Sequence, residues 1–421
     1  MRAVLRDLMF MDERKNAYLN TEGKDRPLAS PVPAEVVERA RLYRLARLRA
    51  QMEAADVAAL LLYDPVNIRY AFDSSNMMVW TARNPVRYAL ILNGGPAMLF
   101  ELPRTEKTAR GLPGIDEIRP ARIWMFMAQG DKAEAHLEDW AAEIASLVRQ
   151  SGGGNLRVAA DRLEMHAGLA LERHGLTVTD GTPLTELARS IKSEDEIELM
   201  RWTIRVCEAG MARIAEYSVP GVTERELWGH LHFENARSGG AWLETKLLTA
   251  GPNTNPWYQE CSDYKVRAGE KISFDTDMIG PYSYCADLSR SWTCGNVPMN
   301  DLQKRIYATA LEQIHHNLAL LEPGLSFAEF NDRSWRIPEA HIPYRYSNAV
   351  HGVGMADEWL FVPLHPDWSD KTMSGRFEPG MVVCVESLVA EAGSESVKLE
   401  TQVLITPSGH ERLDSFPFEE V

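Results

Sequence analysis

From Ala34 the chain alternates between two periods. The stretch EVVERARLYRLARLRAQMEAADV repeats its apolar positions every three to four residues, which predicts an amphipathic helix. A short apolar run, AALLLYDP, follows with the length and composition of a buried strand. RYALILNG and PAMLFEL read as two more strands. Then come a helix over about residues 133–150, a strand at NLRVAAD and a helix over about residues 165–174. This alternation predicts an α/β domain.

The segment TELARSIKSEDEIELMRWTIRVCEAGMARIAEY is helical and charge-laced. Ser193 has the chemistry of an N-cap, and Glu196 three residues on completes a capping box. RELWGHLHFENARS predicts a further helix. Beyond Gly239 the pattern shifts to β-branched and aromatic alternation with hairpin turns, plus a helix over about residues 300–320. The expected organisation is an arm at 1–33, where charge mixes with Pro27, Pro31 and Pro33, an α/β domain at 34–188, and an α+β domain at 189–421. No internal repeat or low-complexity tract interrupts it.

Composition narrows the function classes. A chain of 421 residues, 45% hydrophobic and 25% charged, suits two domains with their own cores. The formal charge of −15 argues against nucleic acid and against an anionic membrane surface as partners. No apolar run is long enough to span a bilayer, and the charged N-terminus MRAVLRDLMFMDERKNAY lacks the apolar core of a secretory signal. A cytoplasmic protein is expected. The five cysteines include no C-x-x-C pair and read as reduced, buried thiols rather than disulfides or a zinc ribbon.

The chemistry concentrates in ISFDTDMIGPYSYCADLSR. Asp275 and Asp277, two apart on a strand, project from one face. A hairpin centred near Pro281 would set Asp275 opposite Asp287 and Asp277 opposite Cys285, all facing the same way. Near the C-terminus the pattern recurs: GMVVCVES gives a strand ending in Glu386, SVKLETQVLIT one containing Glu400, and a loop centred near Gly393 sets these two opposite each other. Buried carboxylates repel and are costly without positive charge nearby. His351, in AVHGVGMADEW, adds a nitrogen donor. Three Asp, two Glu and one His form an oxygen-rich set suited to hard or borderline divalent ions, one or a bridged pair.

The ordered set Asp…Asp…His…Glu…Glu resembles the pita-bread superfamily of methionine aminopeptidases, prolidases and creatinases. IKSEDEIELMR resembles the segment that opens the catalytic domain in prolidase-like members. The resemblance implies a creatinase-like N-terminal domain, a pita-bread metal-binding catalytic domain and a homodimer. Two departures stand out. Where peptidase members carry one histidine after the G-x-N turn and another before the glutamate that follows H-G-x-G, this chain has Trp257 and Asp357. The runs GPNTNPWYQEC, FDTD, HGVG with ADEW, KLETQVLIT and YDPVNIRYAFDSSNMMVW are similar to the DddP-type, metal-dependent branch of dimethylsulfoniopropionate (DMSP) lyases.

That closer resemblance implies Asp275, Asp277, Asp287, His351, Glu386 and Glu400 as metal ligands. It implies iron first, and Asp357 as catalytic base with Trp80 and Tyr346 beside a small zwitterionic substrate; the donor set also suits manganese, zinc, cobalt or nickel, and Trp257 would make sense in the aromatic cradle of a sulfonium. The implied reaction is β-elimination to acrylate and dimethyl sulfide. It needs charge withdrawn from the substrate carboxylate, a base of raised pKa in a partly apolar setting, and aromatic faces for the sulfonium. The alternatives are a metal-dependent hydrolase of the same superfamily acting on a C–N bond or another zwitterion, and a non-catalytic binding module. The complete ligand set weighs against the last.

Overall fold

The computed structural model of the protein describes residues 28–151 and 153–419. They fall into two compact units, 33–189 and 190–419 with 28–32. Of the expected arm at 1–33, residues 1–27 lie outside the described residues.

The first unit is built on six strands, β1 (Ala59–Leu62), β2 (Tyr88–Leu92), β3 (Ala97–Glu101), β4 (Glu117–Pro120), β5 (Arg157–Ala160) and β6 (Thr177–Asp180), in the order β4-β3-β2-β1-β5-β6. β1 pairs antiparallel with β2 and parallel with β5. Its four residues are all buried, so the strand shows no polar alternation. Aromatic rings of Tyr63, Tyr88, Trp124 and Trp140 meet in the core against Ile144 and Leu171. The helix Ala34–Ala54 buries Val36, Ala40, Leu45, Leu48 and Met52, the stripe that its period predicts.

The charge-laced segment resolves into two helices, Thr182–Ser190 at the end of the first unit and Glu194–Tyr217 in the second. Ser193 separates them through the capping box: its hydroxyl accepts from Glu196 N–H at 3.2 Å, and the Glu196 carboxylate accepts from Ser193 N–H at 2.9 Å. The strands are β7 (Trp242–Leu243), β8 (Leu248–Ala250), β9 (Lys271–Asp275), β10 (Met278–Ile279), β11 (Cys285–Ala286), β12 (Ser289–Thr293), β13 (Asn348–Val353), β14 (Asp357–Pro363), β15 (Val382–Val389), β16 (Val397–Thr406) and β17 (Gly409–Arg412). They form sheets ordered β11-β10-β7, β12-β9-β8 and β14-β13-β15-β16-β17. Serine side chains stitch the second sheet to the third. Ser291 Oγ donates to Lys398 O at 3.1 Å, and Ser273 Oγ donates to Ser396 O at 2.9 Å. The helix Asp301–Leu320 packs Ile306, Tyr307, Ala310 and Ile314 into the core under the five-stranded sheet.

Two pairing expectations meet different outcomes. Glu386 stands opposite Glu400 across β15 and β16, although β15 continues past Glu386 to Val389. The aspartate hairpin is shifted by two: Asp275 faces Ser289, not Asp287, and Cys285 faces Ile279, not Asp277. The turn holds Tyr282 and Ser283 at positive φ, which moves its centre. Asp277 itself lies in a break between β9 and β10, at φ 34°. A shift of two preserves strand parity, so the three carboxylates still gather.

Gly352 marks where the third sheet is tightest. A Cβ there would sit 2.5 Å from the Trp359 carbonyl oxygen and 2.8 Å from Leu360 N, both backbone atoms that cannot rotate away. Gly352→Ala is therefore expected to destabilise the protein by about 1–3 kcal/mol through overpacking and to weaken metal retention at the neighbouring His351. Gly229, on the exposed face of the helix Glu224–Arg237, has open space, and Gly229→Ala there should be neutral or stabilising by up to about 1 kcal/mol. Urea unfolding of both variants, with metal content alongside, checks the pair.

Candidate metal centre

The six candidate ligands converge in the second unit. Side-chain oxygens of Asp275, Asp277 and Asp287 come within 4.8 Å of one another, as do donor atoms of Asp287, His351, Cys384 and Glu400. Asp287 belongs to both groups and joins them. Glu386 completes the set, with Oε1 3.1 Å from His351 Nε2.

His351 sits at the hub. Its Nε2 lies 3.1 Å from Glu386, 3.3 Å from Glu400 Oε1 and 3.3 Å from Asp287 Oδ2. Its Nδ1 is 3.1 Å from Gly352 O, a geometry in which Nδ1 carries the proton and donates to the carbonyl. That bond leaves the Nε2 lone pair free toward the carboxylates, as a metal-binding imidazole requires. Thr245 Oγ1 hydrogen-bonds Asp277 and fixes it in its break between strands. Ser289 Oγ lies 2.8 Å from both Asp275 Oδ1 and Glu400 Oε2, so one hydroxyl spans the two sheets.

A positive charge is already present. Lys398, wholly buried, places Nζ 3.0 Å from Asp275 Oδ2 and 3.0 Å from Glu400 Oε2, and bonds Glu386 as well. It also donates to Ser289 Oγ at 2.8 Å and lies 4.6 Å from the centroid of the Tyr346 ring. Five carboxylates and one ammonium (−5 and +1) still leave −4 if the imidazole is neutral. The imbalance shows in the titrations. Burial, then neighbouring carboxylates, pushes Asp277 and Asp287 well above the ordinary range. Burial and Glu400 push Glu386 up to about 7. Against its burial, Glu400 is held low by Lys398 and His351. Asp287 Oδ1 is buried without a hydrogen-bond partner among the described residues. An orphaned oxygen among excess carboxylates and a correctly oriented imidazole fits a divalent ion, one or a pair.

Asp357 opens β14, directly across from Val353. Its Oδ1 is 3.8 Å from His351 Nδ1, and its side chain is 62% exposed. The partly apolar setting expected for it is absent: the carboxyl meets solvent on one side and the charged cluster on the other. Its pKa is nevertheless raised, by desolvation first and then by Glu400 and Glu358, and solvent screens part of that push. The next residue anchors it: Glu358 is buried, paired with Lys192 Nζ at 2.9 Å and accepting from Met355 N–H at 2.9 Å.

Trp257 is buried with Leu247 and Leu388, and Tyr346 packs against this group. Tyr258 stacks on Tyr346 at 5.5 Å. With the Lys398 ammonium over its ring as well, Tyr346 has little face left for an incoming cation. Trp80 lies in the first unit, on the single turn Met78–Thr81.

Residues 198–407 match metallopeptidase family M24. The dimethylsulfoniopropionate lyase DddP of Roseovarius nubinhibens is 39% identical over 396 residues, covering 91% of this chain and 87% of its own length. The DddP of Roseobacter denitrificans is 37% identical over 392 residues, 90% and 86% of the two chains. The chain belongs to the DddP-type branch of family M24. Solved structures agree on the pita-bread fold: a Xaa-Pro dipeptidase from Bacillus anthracis superposes with a TM-score of 0.73 at 21% identity, covering 90% of this chain and 99% of its own. A prolidase from Pyrococcus horikoshii OT3 gives 0.73 at 19%, with the same coverages. At such identity they speak for the fold alone.

Within this DddP-type chain two residues of the cluster escape a search for ligand types. Lys398 reads as an ordinary strand lysine, yet it stands two before Glu400 and so shares its face. Cys384 stands two before Glu386 in the same way. Its thiol donates to Asp287 O at 3.7 Å, and burial followed by the nearby carboxylates holds it protonated. Among the described residues all five cysteines are buried and free.

Lys398→Met removes the ammonium paired with three buried carboxylates. In chelator-treated protein the loss should cost about 3–5 kcal/mol, because the carboxylates remain buried without it. Divalent metal should restore more stability to the variant than to the parent. Urea unfolding with and without chelator reads both effects; equal metal dependence in the two proteins would refute a compensating role for the lysine.

Proposed function

We propose that this protein is a metal-dependent lyase that cleaves dimethylsulfoniopropionate to acrylate and dimethyl sulfide. The observation that carries the reading is the pair of relatives named as DMSP lyases, alike over nine-tenths of the chain. The site chemistry is compatible with it. Asp275, Asp277, Asp287, His351, Glu386 and Glu400 would hold the metal, with iron the first to test. When bound, such an ion withdraws charge from a substrate carboxylate and acidifies the adjacent C–H.

The chain's own residues supply the rest. Asp357 is the carboxylate at the edge of the cluster that solvent, and hence substrate, can reach. As base it takes the proton from the carbon next to the substrate carboxylate. The C–H electron pair becomes the new C=C bond, and the C–S pair leaves on sulfur as neutral dimethyl sulfide. Lys192, through Glu358, holds the start of β14 and with it the base. Trp257 and Tyr346 form an aromatic flank, and Trp80 is assigned to substrate contact on the same reading. Nothing in the pair Trp257 and Asp357 supplies the imidazoles that peptide hydrolysis would call for. A cytoplasmic homodimer belongs to the same proposal.

Purified, metal-replete protein should release dimethyl sulfide from DMSP, read in the headspace by gas chromatography. Asp357→Asn, close in shape, should lower that rate by about 10²–10⁴-fold with metal content unchanged. Chelation should abolish release and added divalent metal restore it. Metal-loaded protein that releases none, but hydrolyses a Xaa-Pro dipeptide, would overturn the lyase reading in favour of a hydrolase.

A further inference from the structure

The first unit holds a pocket of about 130 Å³ that shares no residue with the carboxylate cluster. Tyr63 and Trp124 line it, both buried. The indole N–H groups of Trp124 and Trp140 face the Tyr63 hydroxyl without closing to hydrogen-bond distance, and the hydroxyl's own proton has no acceptor among the described residues. Native proteins rarely leave such a buried donor unanswered. The rings themselves are fixed by packing: Trp124 and Trp140 meet Tyr63 edge-on at 6.4 and 6.3 Å, and Tyr88 leans on it at 5.0 Å.

The exposed residues of the pocket carry charge. Arg83 makes no ion pair among the described residues, and Arg162 reaches Asp64 Oδ2 only at 4.0 Å. Glu164 is the one carboxylate in the lining, with His166 Nε2 3.5 Å from it. The helix Met165–Arg173 starts there with no side chain capping its N-terminus. Hydroxyl, indole N–H, two guanidiniums and a helix start are all donors or positive, so the matching ligand group is an anionic acceptor. Pro85, Leu163 and the Trp124 ring supply apolar wall, which a phosphate would leave unused.

We propose that this pocket binds a small aliphatic carboxylate. Its carboxylate lies among Arg83, Arg162 and the Tyr63 hydroxyl, and its short hydrocarbon tail lies against Trp124. The volume is slightly below that of a cavity that takes benzene, which suits a short hydrocarbon tail. The assignment does not depend on the lyase reading, because no residue of the pocket belongs to the candidate metal centre.

Fluorine NMR of the full, metal-replete chain carrying 5-fluorotryptophan tests it. The chain has eleven tryptophans, and Trp124→Phe identifies the Trp124 resonance. Sodium propionate, titrated against sodium chloride at equal ionic strength, should shift that resonance saturably with a midpoint on the order of millimolar. In the double variant Arg83→Gln, Arg162→Gln the midpoint should weaken by about tenfold or more while the unliganded Trp124 resonance and the melting temperature stay in place. Both arginines are exposed, so the variant should fold. A Trp124 resonance that ignores propionate, a midpoint unchanged in the double variant, or inorganic phosphate binding as tightly as propionate would each overturn the proposal.

Discussion

Everything around the candidate centre answers to the cost of burying five carboxylates together. Such a group cannot sit in a protein interior unless positive charge and hydrogen-bond donors meet it from several sides. Lys398 provides the charge, bonded to Asp275, Glu386 and Glu400. Ser289 and Thr245 provide donors from two different segments, and His351, its Nδ1 proton given to Gly352 O, turns the Nε2 lone pair toward the same carboxylates. The backbone follows these demands: Asp277 adopts a left-handed conformation between two strands, and Gly352 lets β14 approach within contact of β13 beside the imidazole. The remaining negative charge is what makes a divalent ion a fitting occupant.

The periphery of the centre is organised differently. There the chain uses firm ion pairs to aim a carboxylate that is itself left free. Lys192 and Glu358 are both buried and paired, whereas the adjacent Asp357 stays mostly in solvent. The aromatic flank of Trp257, Tyr258 and Tyr346 closes another side, with the lysine ammonium against the Tyr346 ring. A tightly bonded interior beside one accessible carboxylate is a sound basis for proton abstraction.

Much of this was legible because strand parity is robust. Residues two apart share a face whatever the exact register, so the grouping of Asp275, Asp277 and Asp287 survived a two-residue error in their pairing. The error arose in the turn, where Tyr282 and Ser283 take positive φ that their side chains do not advertise. Glu386 and Glu400 paired as expected because the loop around Gly393 is regular enough to count across. The same parity pointed to Lys398 and Cys384, but a lysine on a strand ordinarily reads as a solvated residue and a cysteine as core. The setting of Asp357 was missed for another reason. Flanking apolar residues say little about how far solvent reaches a carboxyl at a strand's first position.

The spacing of Lys398 along the chain also bears on how the protein folds. Asp275, Asp277 and Asp287 can come together early, since a local hairpin forms fast. The ammonium that pairs with Asp275 arrives from a strand 109 residues beyond Ser289. Until that long loop closes, the hairpin is a cluster of like charges with an incentive to splay. High contact order of this kind slows folding. Metal ions present during refolding would then act on the route as well as on the product, holding the first hairpin together before its lysine has arrived.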